Sequence, residues 1–398
     1  MKIMKTAILL GLSVIHVGLV VASGNGETTG KAMFEDKVIV PLPDNHTHRG
    51  CTGTILPLKD GSFLFVYTAV EDTALRYVGG AGIAARRSTD LGRTWGDRFI
   101  VQPRAGLGET GHPSLLRLDN GKILLAYDVQ NLTTDSPNAG GDQHMYVRLS
   151  SDEGKSWTEQ LCATFMPGIC HAMPDKAIQI STGRIIIPVE SSWPVTGHGH
   201  FVSLCFYSDD GGYLWLPSRN VVDLGSNTTE PSVVELADGR LIMMCRNQLG
   251  YLARSYSKDK GLNWSKPELI TDLKASPTGF HAVRLPTTGD LLVIYCNNPH
   301  RARLRAEGKK EETFVRVAQW TNYPLSAVRA PMASAISRDG GKTWSEHRDI
   351  THDPEGVYGD YGYPGITFIE DGKVALVNYH AIDGIHLARI GVDWFYGK

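Results

Sequence analysis

Apolar residues in this chain come in short bursts, each announced by a glycine turn. Leu58-Lys-Asp-Gly61 leads into Ser-Phe-Leu-Phe-Val-Tyr67, and Leu118-Asp-Asn-Gly121 into Lys-Ile-Leu-Leu-Ala-Tyr127. The same design returns at Ile180-Ser-Thr-Gly183, Leu236-Ala-Asp-Gly239, Thr287-Thr-Gly289 and Ile369-Glu-Asp-Gly372. Short runs rich in branched residues predict β-strands, and a glycine supplying positive φ between two of them predicts a hairpin. No convincing helical period intervenes. Six hairpins recur at intervals of fifty to eighty-three residues, about what a four-stranded sheet and its turns require, and radial repetition of such sheets is a β-propeller. The expectation is an all-β chain: one six-bladed β-propeller of four-stranded antiparallel sheets over 30–398. Too little chain follows the sixth hairpin, so Lys37-Val-Ile-Val-Pro41 is expected to supply its outer strand and close the ring.

A second pattern, Ser-x-Asp-x-Gly-x-x-Trp, follows each of the first five hairpins. Its copies carry Asp90 with Trp95, Asp152 with Trp157, Asp210 with Trp215, Asp259 with Trp264 and Asp339 with Trp344. An Asp can cap a turn through local backbone N–H groups, a Gly can take the left-handed conformation, and a Trp can pack between sheets. These boxes are predicted to be frame, at outer turns remote from the axis.

Composition narrows the class. A hydrophobic fraction of 42% and a charged fraction of 21% are those of a soluble globular protein. A net charge of −2 gives no ground for a nucleic-acid partner. Lys2 and Lys5 precede an apolar run over 7–22, followed by Ala22-Ser-Gly24, the layout of a secretory signal over 1–23. No later run is long enough to span a bilayer. An exported, secreted or periplasmic monomer is expected. Of six cysteines, Cys205, Cys245 and Cys296 lie in apolar runs and read as buried, while Cys162 and Cys170 are close enough in sequence to bridge. No metal-ligand motif appears, so neither a metal nor a cofactor is expected.

In a propeller the inner strand of each sheet starts at the shared channel. Nine residues before each hairpin glycine stand Thr52, His112, Pro174, Glu230, Phe280 and Tyr363; Asp175, His281 and Arg49 are close by. Seven residues after it, at the end of the second strand, stand Thr68, Asp128, Glu190, Arg246, Cys296 and Tyr379. Two independent counts give a ring rich in ionisable and aromatic groups.

With those residues in view, the boxes resemble the Asp-boxes of the sialidase superfamily. The segment running from Glu230-Pro-Ser-Val-Val-Glu to Cys-Arg246 is similar to the one that supplies a Glu and a substrate-binding Arg in that family. Tyr361-Gly-Tyr363-Pro-Gly-Ile366 resembles its nucleophilic tyrosine segment, with Tyr363 at the matching place and Tyr361 as the alternative. Arg329 and Arg49 are similar in position to the other two clamp arginines. The resemblance implies an exo-glycosidase acting on a glycan substrate. In it Arg49, Arg246 and Arg329 clamp a sugar carboxylate, Tyr363 attacks, and Glu230 takes the phenol proton. A neutral nucleophile suits an anionic sugar, since a carboxylate would be repelled.

The sequence also departs from that pattern. Where the resemblance places the acid/base Asp, it reads Tyr77-Val-Gly-Gly-Ala-Gly-Ile83; Asp72, earlier in the same loop, is the candidate. His380 stands where a Glu usually orients the first arginine. His112, Asp175, Glu190 and Asp128 line the channel by count, and His112 and Asp175 are assigned to substrate binding. One of the four, His112 above all, is chemically suited to replace a missing acid. A glycan-binding propeller without catalysis, and a glycosidase or lyase for uronic-acid polymers using the histidines, are the alternatives. The segment 297–328, with Arg301, Arg303, Arg305, Lys309 and Lys310 against Glu307, Glu311 and Glu312, is expected to be a solvated rim loop.

Overall fold

The computed structural model describes residues 34–41, 51–70, 80–131, 142–192, 200–309, 313–317, 320–353 and 357–398. They form an all-β, propeller-like fold of successive antiparallel sheets. The first sheet runs Gly53–Pro57, Phe63–Val70, Gly80–Ser88, Phe99–Pro103; the fourth runs Thr229–Glu235, Leu241–Arg246, Tyr251–Ser257, Glu268–Lys274. The fifth runs His281–Arg284, Leu291–Cys296, Met332–Ser337, Ser345–Asp349. In the sixth, Gly362–Ile369, Val374–Ala381 and Gly384–Gly391 receive Phe34–Pro41 as outer strand, with Lys37 opposite Leu387. The strand contributed from the N-terminal side is thus as expected.

The second and third repeats differ from the expectation of separate sheets. Thr110–Arg117, Ile123–Gln130 and Gln143–Ser150 are joined to Ile185–Ser192, Phe201–Ser208 and Leu216–Pro217 through the short strand Ile169–His171. That strand pairs in parallel with Gln143–Ser150 and antiparallel with Ile185–Ser192, giving one nine-stranded sheet. The inner strand of the third repeat is accordingly split, leaving only Ile178–Gln179 in its ordinary place.

All five boxes are frame. Each box Asp accepts the backbone N–H of the residue four positions on, at 2.8–3.0 Å, from Thr94, Ser156, Leu214, Asn263 and Thr343. The box glycines take positive φ, 84° at Gly341, where a Cβ would also lie 2.3 Å from Ile242 Cδ1 of the preceding sheet. Trp264 joins Ile186 and Cys205 of the third repeat to Met243 and Cys245 of the fourth, and Trp344 joins Ile242 to Val293 across the next boundary. Burying such a side chain contributes roughly 1.5–3 kcal/mol, so the tryptophans fasten neighbouring sheets together.

Two other expectations meet the structure here. All six cysteines are free thiols, so Cys162 and Cys170 are not bridged; Cys205, Cys245 and Cys296 are buried as expected. Segment 297–328 is not a loop throughout. It holds a short helix, His300–Ala306, and a hairpin, Phe314–Val317 with Trp320–Pro324. Ala302 and His300 are buried, and Asn298 Nδ2 donates to the carbonyls of Leu325 and Val328 at 2.8 and 2.9 Å. Among its described residues, the charged side chains of Arg303, Arg305, Glu307 and Lys309 follow the solvated expectation. No helix among the described residues is long and apolar enough to cross a membrane.

Candidate active site

Three repeats open their inner strand with the same irregularity. Ladder register breaks between Gly111 and Ser114, between Thr229 and Ser232, and between Gly362 and Gly365. The residue inside each break takes a left-handed conformation: His112 at φ 50°, Glu230 at 47°, Tyr363 at 52°. Such a bulge re-aims a side chain, and for residues with a Cβ it costs roughly 1–2 kcal/mol. In the third repeat Asp175, at φ 58°, takes the left-handed conformation. The count that pointed to Pro174 is therefore one residue short there, because the inner strand is split. Across the ladder, Asp128, Arg246 and His380 face Gly111, Thr229 and Gly362. The forward count had chosen Tyr379. The sixth hairpin turns over residues 370–373 where the fourth uses 236–240, and one residue of register moves a side chain to the opposite face. Tyr379 instead donates to Asp36 Oδ2 at 2.7 Å.

Tyr363, Glu230, Arg246 and Arg329 come together. The Tyr363 hydroxyl donates to Glu230 Oε1 at 3.2 Å, and Arg246 Nη1 donates to the same oxygen. The Arg329 guanidinium lies 5.7 Å from the Tyr363 ring centroid. The Tyr361 hydroxyl donates instead to Asp353 Oδ1 at 2.8 Å. Burial works to lower both guanidinium pKa values, but Glu230 and Tyr363 at Arg246, and Tyr363 and Asp360 at Arg329, outweigh it and raise them. Both arginines stay charged. Among the described residues, Arg246 Nε, Arg329 Nη1 and Glu230 Oε2 are buried without a hydrogen-bond partner. A buried polar group left unpaired costs about 1–3 kcal/mol, and two guanidinium groups with donors unpaired suit a carboxylate.

Asp360, which neither count reaches, backs Arg329. Its carboxylate lies 4.0 Å from Arg329 Nε and 4.0 Å from His380 Nε2, while Cys51 Sγ is 3.6 Å from His380 Nδ1. It stands in Gly359-Asp-Tyr-Gly-Tyr363, ahead of the sixth sheet's first strand, where no repeat count applies.

A second buried cluster adjoins the first. His112 Nδ1 is 3.1 Å from Asp128 Oδ1, and Gln143 Nε2 donates to Asp128 Oδ2. His171 Nε2 is 3.0 Å from Glu190 Oε1, whose partner oxygen Oε2 accepts the Glu230 backbone N–H at 2.8 Å. His171 was also missed, since the split strand takes it out of the counted register. Burial works against charge on all three groups, yet the His171–Glu190 and His112–Asp128 attractions win. His171 is raised, and Glu190 and Asp128 are lowered. One ligand atom each of His112, Asp128 and His171 lies within 4.8 Å of the others, the only such trio among the described residues. A divalent ion is therefore a group this trio could hold, although no metal was expected from the sequence. As found, both histidines are engaged by carboxylates.

Residues 58–376 match the BNR repeat-like domain family. The chain belongs to the BNR-repeat family of the sialidase superfamily. A sialidase of Micromonospora viridifaciens is 25% identical over 366 residues, covering 86% of this chain and 51% of the relative. One of Clostridium perfringens is 28% identical over 232 residues, 53% of this chain and 57% of that one. The chain spans about half the length of the curated relatives it matches. The solved structure of a Hadza microbial sialidase superposes with a TM-score of 0.67 at 19% identity, covering 90% of this chain and 69% of the other. At that identity the likeness speaks for the fold.

Of the remaining sequence candidates, Arg49 and Asp72 lie outside the described residues. Asp175 has both oxygens taken by the frame: Thr54 Oγ1 donates at 2.6 Å and the Ile366 N–H at 2.8 Å.

Proposed function

We propose that this member of the sialidase superfamily is an exo-glycosidase that removes a terminal sialic acid, or a related acidic sugar, from glycans with retention of configuration. One observation carries the proposal: the Tyr363 hydroxyl donates to Glu230 Oε1, with Arg246 on the same oxygen and Arg329 beside the tyrosine ring. Arg246 and Arg329, with Arg49 as third member, hold the sugar carboxylate. Glu230 takes the phenol proton as Tyr363 Oη attacks the anomeric carbon, and the covalent intermediate is then hydrolysed, so the centre inverts twice. The resemblance gives the leaving-group proton to an acid for which Asp72 is the sequence candidate. The chain closes as a single six-bladed propeller over 30–398, is exported behind a signal at 1–23, and acts as a secreted or periplasmic monomer. Neighbouring inner strands support the ring: Gly53–Pro57 touches both Thr110–Arg117 and Gly362–Ile369, and His281–Arg284 touches both Thr229–Glu235 and Gly362–Ile369.

The test is a panel of sialosides and uronides given to the purified protein, with the first-formed anomer read by proton NMR. Release of sialic acid in the substrate's own anomeric configuration is expected. Cleavage of uronides alone would transfer the reaction to the histidine cluster. An inverted first product would remove the tyrosyl intermediate.

A further inference from the structure

We infer that His112, Asp128 and His171 form a binding site for one divalent transition-metal ion, of which zinc is the type, where the second and third repeats are joined. The site stands independently of the reaction proposed above.

The irregular backbone of this region assembles it. Asp128 lies on Ile123–Gln130, and His112 sits in the bulge of the strand beside it, both in the second repeat. His171 belongs to the third. It reaches the other two because Ile169–His171 leaves the ordinary inner-strand place and pairs in parallel with Gln143–Ser150. One ligand atom from each residue lies within 4.8 Å of the others. His112 Nδ1 is 3.1 Å from Asp128 Oδ1, and His171 Nδ1 is 3.9 Å from Asp128 Oδ2. Zinc bonds of about 2.0–2.2 Å in tetrahedral array hold ligand atoms roughly 3.4 Å apart, so the trio needs only a small closing to grip the ion.

His171 Nδ1 is the atom that calls for a metal. His171 retains 6% exposure, and its Nδ1 is buried without a hydrogen-bond partner. At 3.9 Å the Asp128 oxygen is too far for a hydrogen bond, whereas an ion between them bonds to both. The other ring nitrogen is already arranged for this, since Nε2 is 3.0 Å from Glu190 Oε1. A ligating histidine ordinarily donates its second N–H to a carboxylate, which fixes the ring and leaves the inner lone pair to the metal. Asp128 is supported in the same way by Gln143 Nε2 on Oδ2.

The donor set selects the ion. Two imidazoles and one carboxylate suit zinc and its neighbours, while calcium and magnesium take oxygen donors. The support also reaches further than the site. Glu190 Oε2 accepts the Glu230 N–H at 2.8 Å, so an ion on His171 clips the second repeat to the third one carboxylate away from Glu230.

The experiment titrates untagged, chelator-treated chain with zinc, magnesium and calcium by isothermal titration calorimetry, and records zinc K-edge absorption fine structure. Wild type should bind one zinc per chain, with a sharp equivalence point at micromolar protein. Its zinc should show nitrogen and oxygen neighbours at about 2.0–2.2 Å, two of them imidazoles. In His171→Gln the amide can still donate to Glu190, but the second nitrogen is gone; Asp128→Asn removes the charged ligand. Each should weaken zinc binding at least about 100-fold, since even an outer partner is worth 10–100-fold. His200→Gln, at the exposed pair His200 and Asp223, should bind as wild type does. Absence of an equivalence point in wild type would overturn the inference and leave the cluster a hydrogen-bonded frame. Binding unchanged in either site variant, or lost in His200→Gln, would place the ion elsewhere and overturn it too. Magnesium or calcium held as tightly as zinc would do the same. Should a site variant fail to fold, the wild-type spectrum decides alone: two imidazoles support the site, and sulfur or oxygen-only neighbours overturn it.

Discussion

Asp175 ties the first, second and sixth repeats to its own, and its titration can be read as stability. Thr54 Oγ1 of the first sheet and the Ile366 N–H of the sixth both donate to its carboxylate, and its own N–H donates to the Pro113 carbonyl at 3.1 Å. Burial pushes its pKa up to about 6 from 3.8, against the lowering effect of Thr54, Ile366 and Lys176. The folded protein therefore holds this proton over a window, about pH 4 to 6, in which the unfolded chain has released it. Where the native state binds more protons, stability falls as pH rises. The full effect is on the order of 3 kcal/mol, of which about 1.5 kcal/mol lies between pH 5 and 7.5. Lys176, lowered to about 7 by burial, loses its proton in the upper part of that interval, and His281 is lowered by burial and by Lys176; both act in the opposite sense to Asp175. A direct comparison with Asp175→Asn isolates the part of the pH dependence that hangs on Asp175, including its effect on neighbouring Lys176 and on His281, whose Nδ1 lies 3.4 Å away. Asn keeps an oxygen for Ile366 N–H, offers an NH₂ to Thr54 Oγ1, tolerates the positive φ and cannot ionise. Urea unfolding by tryptophan fluorescence at the two pH values should show wild type gaining about 1.5 kcal/mol on Asp175→Asn as pH falls from 7.5 to 5. Asp175→Ala should lose about 2–4 kcal/mol at both, from two orphaned donors and a less tolerant backbone residue. A wild-type-minus-Asn difference that stays constant within about 0.5 kcal/mol would refute the reasoning, since the linkage requires it to move.

Four further outcomes are expected. Tyr363→Phe removes the attacking oxygen and keeps the ring beside Arg329, so kcat should fall by orders of magnitude with cooperative melting near the wild-type temperature; wild-type turnover would exclude the tyrosyl mechanism. Arg246→Ala should raise KM and lower kcat together, as the clamp holds ground and transition states alike, and steady-state kinetics would reveal an effect on KM alone. In the fifth box the hydrogen bonds from Thr343 hold the exposed Asp339 down at about 2 although burial opposes them. Its contribution is present above pH 3.8 and lost as pH falls towards 2; after allowance for solvent screening Asp339→Asn should cost no more than about 1 kcal/mol at pH 7 by urea unfolding. Cys162 alone is exposed, so a thiol reagent should label one cysteine per native chain quickly and the others only on unfolding.

The frame was legible because its signals are local and repeated. A hairpin glycine or a box Asp acts within four residues of itself, so the sequence carries the whole interaction. The channel was legible only as far as a constant register held. In the second and fourth repeats both counts succeed, finding His112 with Asp128 and Glu230 with Arg246. In the sixth a turn one residue shorter exchanges Tyr379 for His380, and in the third the split strand exchanges Pro174 for Asp175 and hides His171. Asp360 escaped for a different reason: it reaches Arg329 from a segment outside the repeat, where no periodicity applies.

The two counts also mixed two kinds of residue that the geometry separates. Thr52, Thr68 and Glu190 line the channel by count, yet each is a fastener for a neighbour. Thr52 Oγ1 donates to the Tyr363 carbonyl at 2.6 Å, Thr68 Oγ1 accepts the His112 N–H at 3.0 Å, and Glu190 Oε2 accepts the Glu230 N–H at 2.8 Å. Each of the three strained, inward-turned residues is thus tied through its backbone to an adjacent repeat. A left-handed residue persists only where its surroundings over-determine it, and here the surroundings are the next sheet. Reactive side chains fixed in this way need no rearrangement to meet a substrate, which is the condition for electrostatic and nucleophilic groups to act at full strength. The box tryptophans lock sheet to sheet at the outer turns, and the same sheet-to-sheet contacts, continued inward, hold Tyr363, Glu230 and His112 in conformations they would not keep alone.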